Sequence, residues 1–160
     1  MKIESGEIIL THDEVFIRED IFTNVPGDER PHLLARQCQE CGDISFPPFQ
    51  NCLKCGSQKD TVEKVLSNEG VLSSFTIARQ VMPGFSPNYI LANIRMRDDP
   101  TLVLVAQLTD VKAEDAEIGM ELTMVPKIIS RRINGNKVVS YCFRPIDPDK
   151  VTEGEGGQLL

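Results

Sequence analysis

Apolar and polar residues alternate along most of residues 65–146, and that period predicts strands. In Tyr89–Met96, Ile90, Ala92, Ile94 and Met96 fall on one face while Asn93 and Arg95 fall on the other. In Gly70–Ile77, Val71, Phe75 and Ile77 are expected to share a face, with Ser73 between them. Leu102–Leu108 is apolar on both faces, which predicts a barrel strand whose outer face is also covered. Lys112–Glu117 has room for one short helical turn. Met120–Ile133 and Lys137–Phe143 are joined by Asn134-Gly135-Asn136, a hairpin turn sequence. Five strands with a helical link between the third and fourth predict an oligonucleotide/oligosaccharide-binding (OB-fold) barrel over residues 63–146.

The pattern differs towards the N-terminus. Thr11 and Glu14 have capping-box spacing ahead of Val15, Phe16, Ile17 and Ile21. This predicts a helix from His12 to Phe22, closed by Asn24-Val25-Pro26-Gly27-Asp28, within an N-terminal extension of residues 1–30. Residues 31–62 are shorter and more broken: Leu33–Arg36 and Ile44–Phe46 read as strands, and Pro47-Pro48 interrupts pairing. Residues 147–160, with Gly154, Gly156 and Gly157, read as a flexible tail. The expected class is therefore mainly β: an N-terminal helical segment, a Cys-rich ribbon and a five-stranded OB barrel.

Four of the five cysteines change this picture. Cys38-Gln39-Glu40-Cys41 and Cys52-Leu53-Lys54-Cys55 are both C-x-x-C, ten residues apart, each followed by glycine. A knuckle of this kind turns tightly enough to aim backbone N–H groups at sulfur, and the residue after it often needs a positive φ. Two knuckles supply four thiolates for a tetrahedral zinc ribbon, with no coordination position left for substrate. The site is expected to be structural, binding Zn2+, with rubredoxin-like iron as the other occupant. A disulfide pair suits an exported chain, and a redox C-x-x-C does not account for a second copy. Cys142, in the strand-like run Val138–Phe143, reads as a small buried hydrophobe.

Charge and composition narrow the function. The 160 residues carry a net charge of −7, against the positive surface that displaces counterions from nucleic acid. There is no Trp and only two Tyr to stack on bases, and Phe75, Tyr141 and Phe143 fall at core positions. A single-stranded nucleic-acid-binding module is thus the alternative, and nucleic acid an unfavoured partner. No apolar run approaches the ~20 residues needed to span a bilayer. Residues 1–6 lack the pattern of a secretory leader, so a cytoplasmic protein is expected. No acid–base pair suited to catalysis is legible: Asp98-Asp99 reads as a turn before Pro100, and His12 and His32 read as surface or packing residues.

The order of these parts resembles the DUF35 family of acyl-CoA-associated proteins. The matching stretches are Cys38–Gly42 with Phe46-Pro47-Pro48, Cys52–Ser57, Gly70–Thr76, Ile118-Gly119-Met120 and Phe143-Arg144-Pro145, spanning residues 10–146. Phe49 departs from the pattern, since many members carry a basic residue after the prolines. The resemblance implies a non-catalytic subunit of a thiolase-type acyltransferase complex. A thiolase-fold partner would supply the catalytic residues, and this chain would stabilise it and help enclose acyl-CoA as a shared ligand. Among such complexes it points to one acting on benzoylsuccinyl-CoA in anaerobic toluene breakdown. Binding CoA calls for cations near phosphates and an apolar cover for adenine. Arg79, Arg95, Arg97, Arg131 and Arg132 are the candidate cations, each also readable as a solvated strand-edge residue. Met82 and Phe85, in the loop Gln80–Asn88 between the first two barrel strands, are the candidate apolar contacts; simple loop packing is the other reading.

Overall fold

A computed structural model describes residues 1–58, 61–132 and 134–151. Twelve strands and two short 3-10 turns make up its regular structure, and no α-helix occurs among the described residues. The predicted five-strand barrel is present. Strands β8 (Glu69–Ala78), β9 (Tyr89–Met96), β10 (Val103–Leu108), β11 (Glu121–Arg131) and β12 (Lys137–Pro145) lie in the order β10-β9-β8-β11-β12, with neighbours antiparallel except at one closing seam. There β10 runs parallel to β12, with Gln107 beside Cys142 and Leu108 beside Phe143, and closes the barrel. The helical link between β10 and β11 is a 3-10 turn at Ala113–Asp115.

Inward residues pack as alternation predicts along β9, where Ile90, Ala92, Ile94 and Met96 are all buried. Along β8 the alternation breaks. Leu72 pairs with Ile94, but Ser74 pairs with Asn93, so Ser73 is an extra residue in the strand. This bulge reverses the parity. Leu72 is fully buried before it and Phe75 packs against the core after it, whereas Val71 does not share their face as the sequence pattern suggested. A second correction concerns β10: Val103 and Val105 are 48% and 53% exposed. No helix among the described residues covers its apolar outer face, because the link after it is only a short 3-10 turn.

The predicted helix at His12–Phe22 is not formed. Its segment contains two short strands, β3 (Glu14–Phe16) and β4 (Phe22–Thr23). The local signal is nevertheless physical: the Thr11 N–H donates to the Glu14 carboxylate at 2.9 Å, and the Glu14 N–H donates to the Thr11 carbonyl at 3.0 Å. These bonds close a single turn. The chain then extends because β3 pairs in parallel with β12, Val15 opposite Val138 and Phe16 opposite Val139. β-branched Val15 and Ile17 suit that edge better than a helix, and sheet pairing prevails over the cap. Upstream, β1 (Lys2–Glu4) and β2 (Glu7–Ile9) form a separate hairpin.

Strand β5 (His32–Cys38) carries the chain into the cysteine lobe, flanked by β4 and β6 (Ile44–Ser45) on one side and β7 (Thr61–Val65) on the other. Sequence reading did not anticipate β7, whose alternation is weak: Val62 and Val65 both lie exposed. Leu33 and Ala35 of β5 and Leu66 after β7 are buried in the same core as the barrel residues. The lobe and barrel therefore share one hydrophobic interior.

That junction is fastened by Asn68, 1% exposed and at φ +66°. Its side-chain oxygen accepts from the Leu33 N–H at 3.1 Å, its side-chain nitrogen donates to the Pro31 carbonyl at 2.7 Å, and its own carbonyl accepts from the Met124 N–H at 2.8 Å. Beside it, His32 is buried with Nδ1 3.0 Å from the Leu66 carbonyl and Nε2 2.9 Å from the Asp28 carboxylate. The Arg30 guanidinium, the Arg30 N–H and His32 together hold Asp28 well below the usual carboxylate range. The predicted flexible tail begins as a second 3-10 turn, Pro148–Lys150, with Lys150 paired to Glu117 at 2.8 Å; residues 152–160 lie outside the described residues.

Asn68→Gly keeps the positive φ and removes the amide. It is expected to destabilise the protein by about 1–3 kcal/mol, because the Leu33 N–H and Pro31 carbonyl lose buried partners. Denaturant unfolding measures this, and an unchanged midpoint would remove the amide from the account.

Candidate metal centre and barrel loops

The two knuckles fold alike, for reasons visible in their backbones. In the first, the Gly42 N–H donates to the Cys38 carbonyl at 3.0 Å and the Cys38 N–H to the Asp43 carbonyl at 2.9 Å. In the second, the Gly56 N–H donates to the Cys52 carbonyl and the Cys52 N–H to the Ser57 carbonyl, both at 3.1 Å. Gly42 and Gly56 stand at φ +74° and +70°, and an added Cβ would meet nothing within 4 Å at either. Glycine is required here for its conformation and not for space.

The four sulfurs of Cys38, Cys41, Cys52 and Cys55 lie within 4.8 Å of one another. Cys38 and Cys55 are 3.8 Å apart, and Cys41 and Cys52 3.6 Å. A tetrahedral ion with metal–sulfur bonds of about 2.3 Å sets its ligands about 3.8 Å apart, so this cluster can hold one. These contacts are far too long for disulfides, whose S–S bonds are about 2.05 Å. Backbone N–H groups of Cys55 and Lys54 bring the Cys52 thiol down to about 7. At Cys55 the Ser57 N–H favours the thiolate, but desolvation and the neighbouring sulfurs outweigh it and push the thiol up to about 12. Four thiolates this close need a cation among them. Lys54 adds positive charge at the rim and pairs with Asp43 at 3.1 Å, joining the knuckles. On the neighbouring face, Arg18 stands 5.7 Å over the Phe49 ring and donates to the Pro48 carbonyl at 3.0 Å.

The other candidate residues divide into two groups. Arg97 is engaged by Glu69 and Glu121 at 2.7 and 2.5 Å, clamping β8 to β11. Arg95 is exposed on the outer face of β9, opposite Val71 and Val103. Arg79, Met82, Phe85, Arg131 and Arg132 belong instead to one end of the barrel. The Gln80–Asn88 loop meets the β11–β12 hairpin there through the Arg131 N–H, which donates to the Gly84 carbonyl at 2.8 Å. Gly84 has φ +96°, and a Cβ on it would sit 2.1 Å from the Arg131 carbonyl oxygen. Phe85 packs on Tyr89 with ring centroids 6.0 Å apart, and Met82 is 75% exposed.

Cys142, Asp98 and Asp99 are inaccessible or occupied. Cys142 is 2% exposed, and burial pushes its thiol up to about 12. Asp98 accepts from the Ser67 N–H and hydroxyl, while Asp99 accepts from the N–H and hydroxyl of Thr101. Asp98-Asp99 is therefore a turn, as its sequence suggested.

Comparison with known proteins identifies the assembly of parts. Residues 63–126 match the family model described as ChsH2, C-terminal OB-fold domain. A DUF35 domain-containing scaffold protein of Pyrococcus furiosus is 36% identical over 121 residues, covering 74% of this chain and 86% of its own. The chain belongs to the DUF35 family. A second relative of this DUF35 chain is the benzoylsuccinyl-CoA thiolase subunit BbsA of Thauera aromatica, 30% identical over 138 residues, or 84% of this chain and 90% of its own. Among solved structures, an Ltp2-ChsH2(DUF35) aldolase matches with a TM-score of 0.58 at 23% identity, covering 72% of this chain and 86% of that one, and shows the same fold.

Two outcomes follow from the site geometry. Cys38→Ser or Cys55→Ser is expected to abolish stoichiometric metal and increase amide exchange across residues 36–58, measured by elemental analysis and hydrogen exchange. Because binding requires thiolates, metal affinity should fall as pH is lowered, seen as metal release in an acid titration. At the barrel end, Gly84→Ala must displace the Arg131 backbone and is expected to cost about 1–3 kcal/mol, measured by denaturant unfolding.

Proposed function

We propose that this chain is a non-catalytic subunit of a thiolase-type acyl-CoA acyltransferase complex. In this reading it stabilises a thiolase-fold catalytic partner and helps enclose the acyl-CoA shared between them. The observation that carries the proposal is the 30% identity to a thiolase subunit over 84% of the chain, which includes cysteine lobe and barrel alike. The side-chain chemistry agrees. Cys142 is buried as a neutral thiol, and His32 is tied at both ring nitrogens, so neither is free to act as nucleophile or base.

Zn2+ in the four-cysteine cluster fits a structural role, since four thiolates saturate a tetrahedral ion and leave no position for substrate. The ion would hold the two knuckles together at the end of β5, whose other end enters the shared core. Benzoylsuccinyl-CoA is the acyl substrate to test first, because a relative of this chain is named a benzoylsuccinyl-CoA thiolase subunit. The reading places the assembly in the cytoplasm.

The test is native co-purification followed by reconstitution. The tagged chain is expected to recover a thiolase-fold subunit in fixed stoichiometry, together with zinc. Thiolysis of acyl-CoA should appear with both subunits present and be absent from this chain alone. Turnover by the isolated chain would refute a non-catalytic role. Recovery of nucleic acid that dissociates at high salt, with no protein partner, would favour a nucleic-acid-binding module instead.

A further inference from the structure

The acidic balance of the protein is not evenly spread. The segments 79–89, 127–132 and 134–137, which lie at one end of the barrel, contain Arg79, Lys127, Arg131, Arg132 and Lys137 and no Asp or Glu, in a chain of net charge −7. Lys127 and Lys137 are matched by Asp110 at 3.5 Å and Asp13 at 2.9 Å. Arg79, Arg131 and Arg132 are exposed and have no carboxylate partner among the described residues. Among the described residues, the Arg131 guanidinium donates to the Gly135 carbonyl, at 3.3 Å.

This end is also structurally prepared. The Gly84–Arg131 backbone bond ties the loop to the hairpin, Asn88 donates back to the Ala78 carbonyl at 2.8 Å, and Phe85 braces Tyr89. Met82 projects from a loop held at both ends, with three-quarters of its surface in solvent. Arg, Met and aromatic residues are the types enriched at the centres of protein interfaces, while Lys and Glu are depleted there. Ordering such a loop before binding lowers the entropy lost on association.

We infer that this arginine-flanked loop pair is the docking end of the protein, and that its occupant is an acidic protein surface with an apolar recess for Met82. The inference rests on the proposed function in one respect: the surface belongs to the catalytic partner of the complex. Charge selects the orientation. The rest of an acidic chain repels an acidic partner, so productive encounter is steered to this end. The exposed Met side chain then contributes to the lifetime of the contact once water is excluded around it.

The experiment uses the complex recovered by co-purification. Association and dissociation rates are measured at several salt concentrations for the unaltered chain, the triple variant Arg79→Gln/Arg131→Gln/Arg132→Gln, and Met82→Ala. Lys64→Gln, on the cysteine lobe, serves as a charge control. The triple variant should associate about tenfold more slowly at low salt, with a flattened salt dependence, while keeping its zinc and unfolding midpoint. Met82→Ala should dissociate several-fold faster at an unchanged association rate. A complex that forms with unaltered rates in both variants overturns the docking assignment and leaves the proposed function standing. Failure of the unaltered chain to bind any thiolase-fold partner overturns both. Salt-sensitive binding of these arginines to single-stranded nucleic acid, or to a second copy of this chain, in place of the partner would also overturn it.

Discussion

The buried amide of Asn68 holds the cysteine lobe and the barrel in one fixed relation. It bridges the backbone on either side of the entry to β5, while the Asn68 backbone carbonyl accepts from the Met124 N–H of β11, at a position where the chain turns with positive φ. An apolar side chain there would leave two backbone groups buried without partners. Because Leu33, Ala35 and Leu66 sit in the barrel's own core, the lobe cannot swing without exposing them. Hydrophobic burial supplies the adhesion, and Asn68 and His32 supply its direction. The four-cysteine cluster lies at the far end of the same strand, so β5 connects this candidate metal site to the barrel interior.

Barrel closure imposes a second constraint. A closed barrel of only five strands needs strong local curvature, and the extra residue at Ser73 supplies it in β8. Beyond Thr123, β11 pairs with β12 but no longer with β8, which also explains how Pro126 is accommodated within a strand. The free ends of the two hairpins are then joined by the Gly84–Arg131 contact. Three arginines from separate stretches of sequence thus reach one end of the molecule, while Arg97 is consumed in the clamp between β8 and β11.

Among the described residues, four thiols converge in a cluster that could hold a metal ion, and Cys142 lies sealed in the core. The protein's best-placed histidine bridges two segments, and its adjacent aspartates cap turns. What the molecule offers to the outside is surface: the valine face of β10, the loop end with Met82, and the rim of the knuckles. Under the proposed function, these surfaces would position and cover a catalytic partner.

Much of this was legible in the residues alone. The paired C-x-x-C-G units determined the ligand set, because knuckle geometry is local and glycine marks its positive φ. Alternation in β9 and the Asn-Gly turn before β12 determined the strands on either side, since a period of two needs no distant partner to be read. What the sequence could not settle was decided by contacts between remote segments. Glu14 does make the expected side-chain bond to the Thr11 N–H, yet pairing of Val15 with Val138 turns the following residues into a strand. The bulge at Ser73 reverses which residues face inward, and only barrel closure requires it there. Arg97 and Arg131 look alike in one dimension; carboxylates from β8 and β11 neutralise the first and leave the second exposed. Local backbone preference and ligand spacing belong to the sequence, whereas face, register and the availability of charge depend on which distant residues the fold brings within a few ångströms.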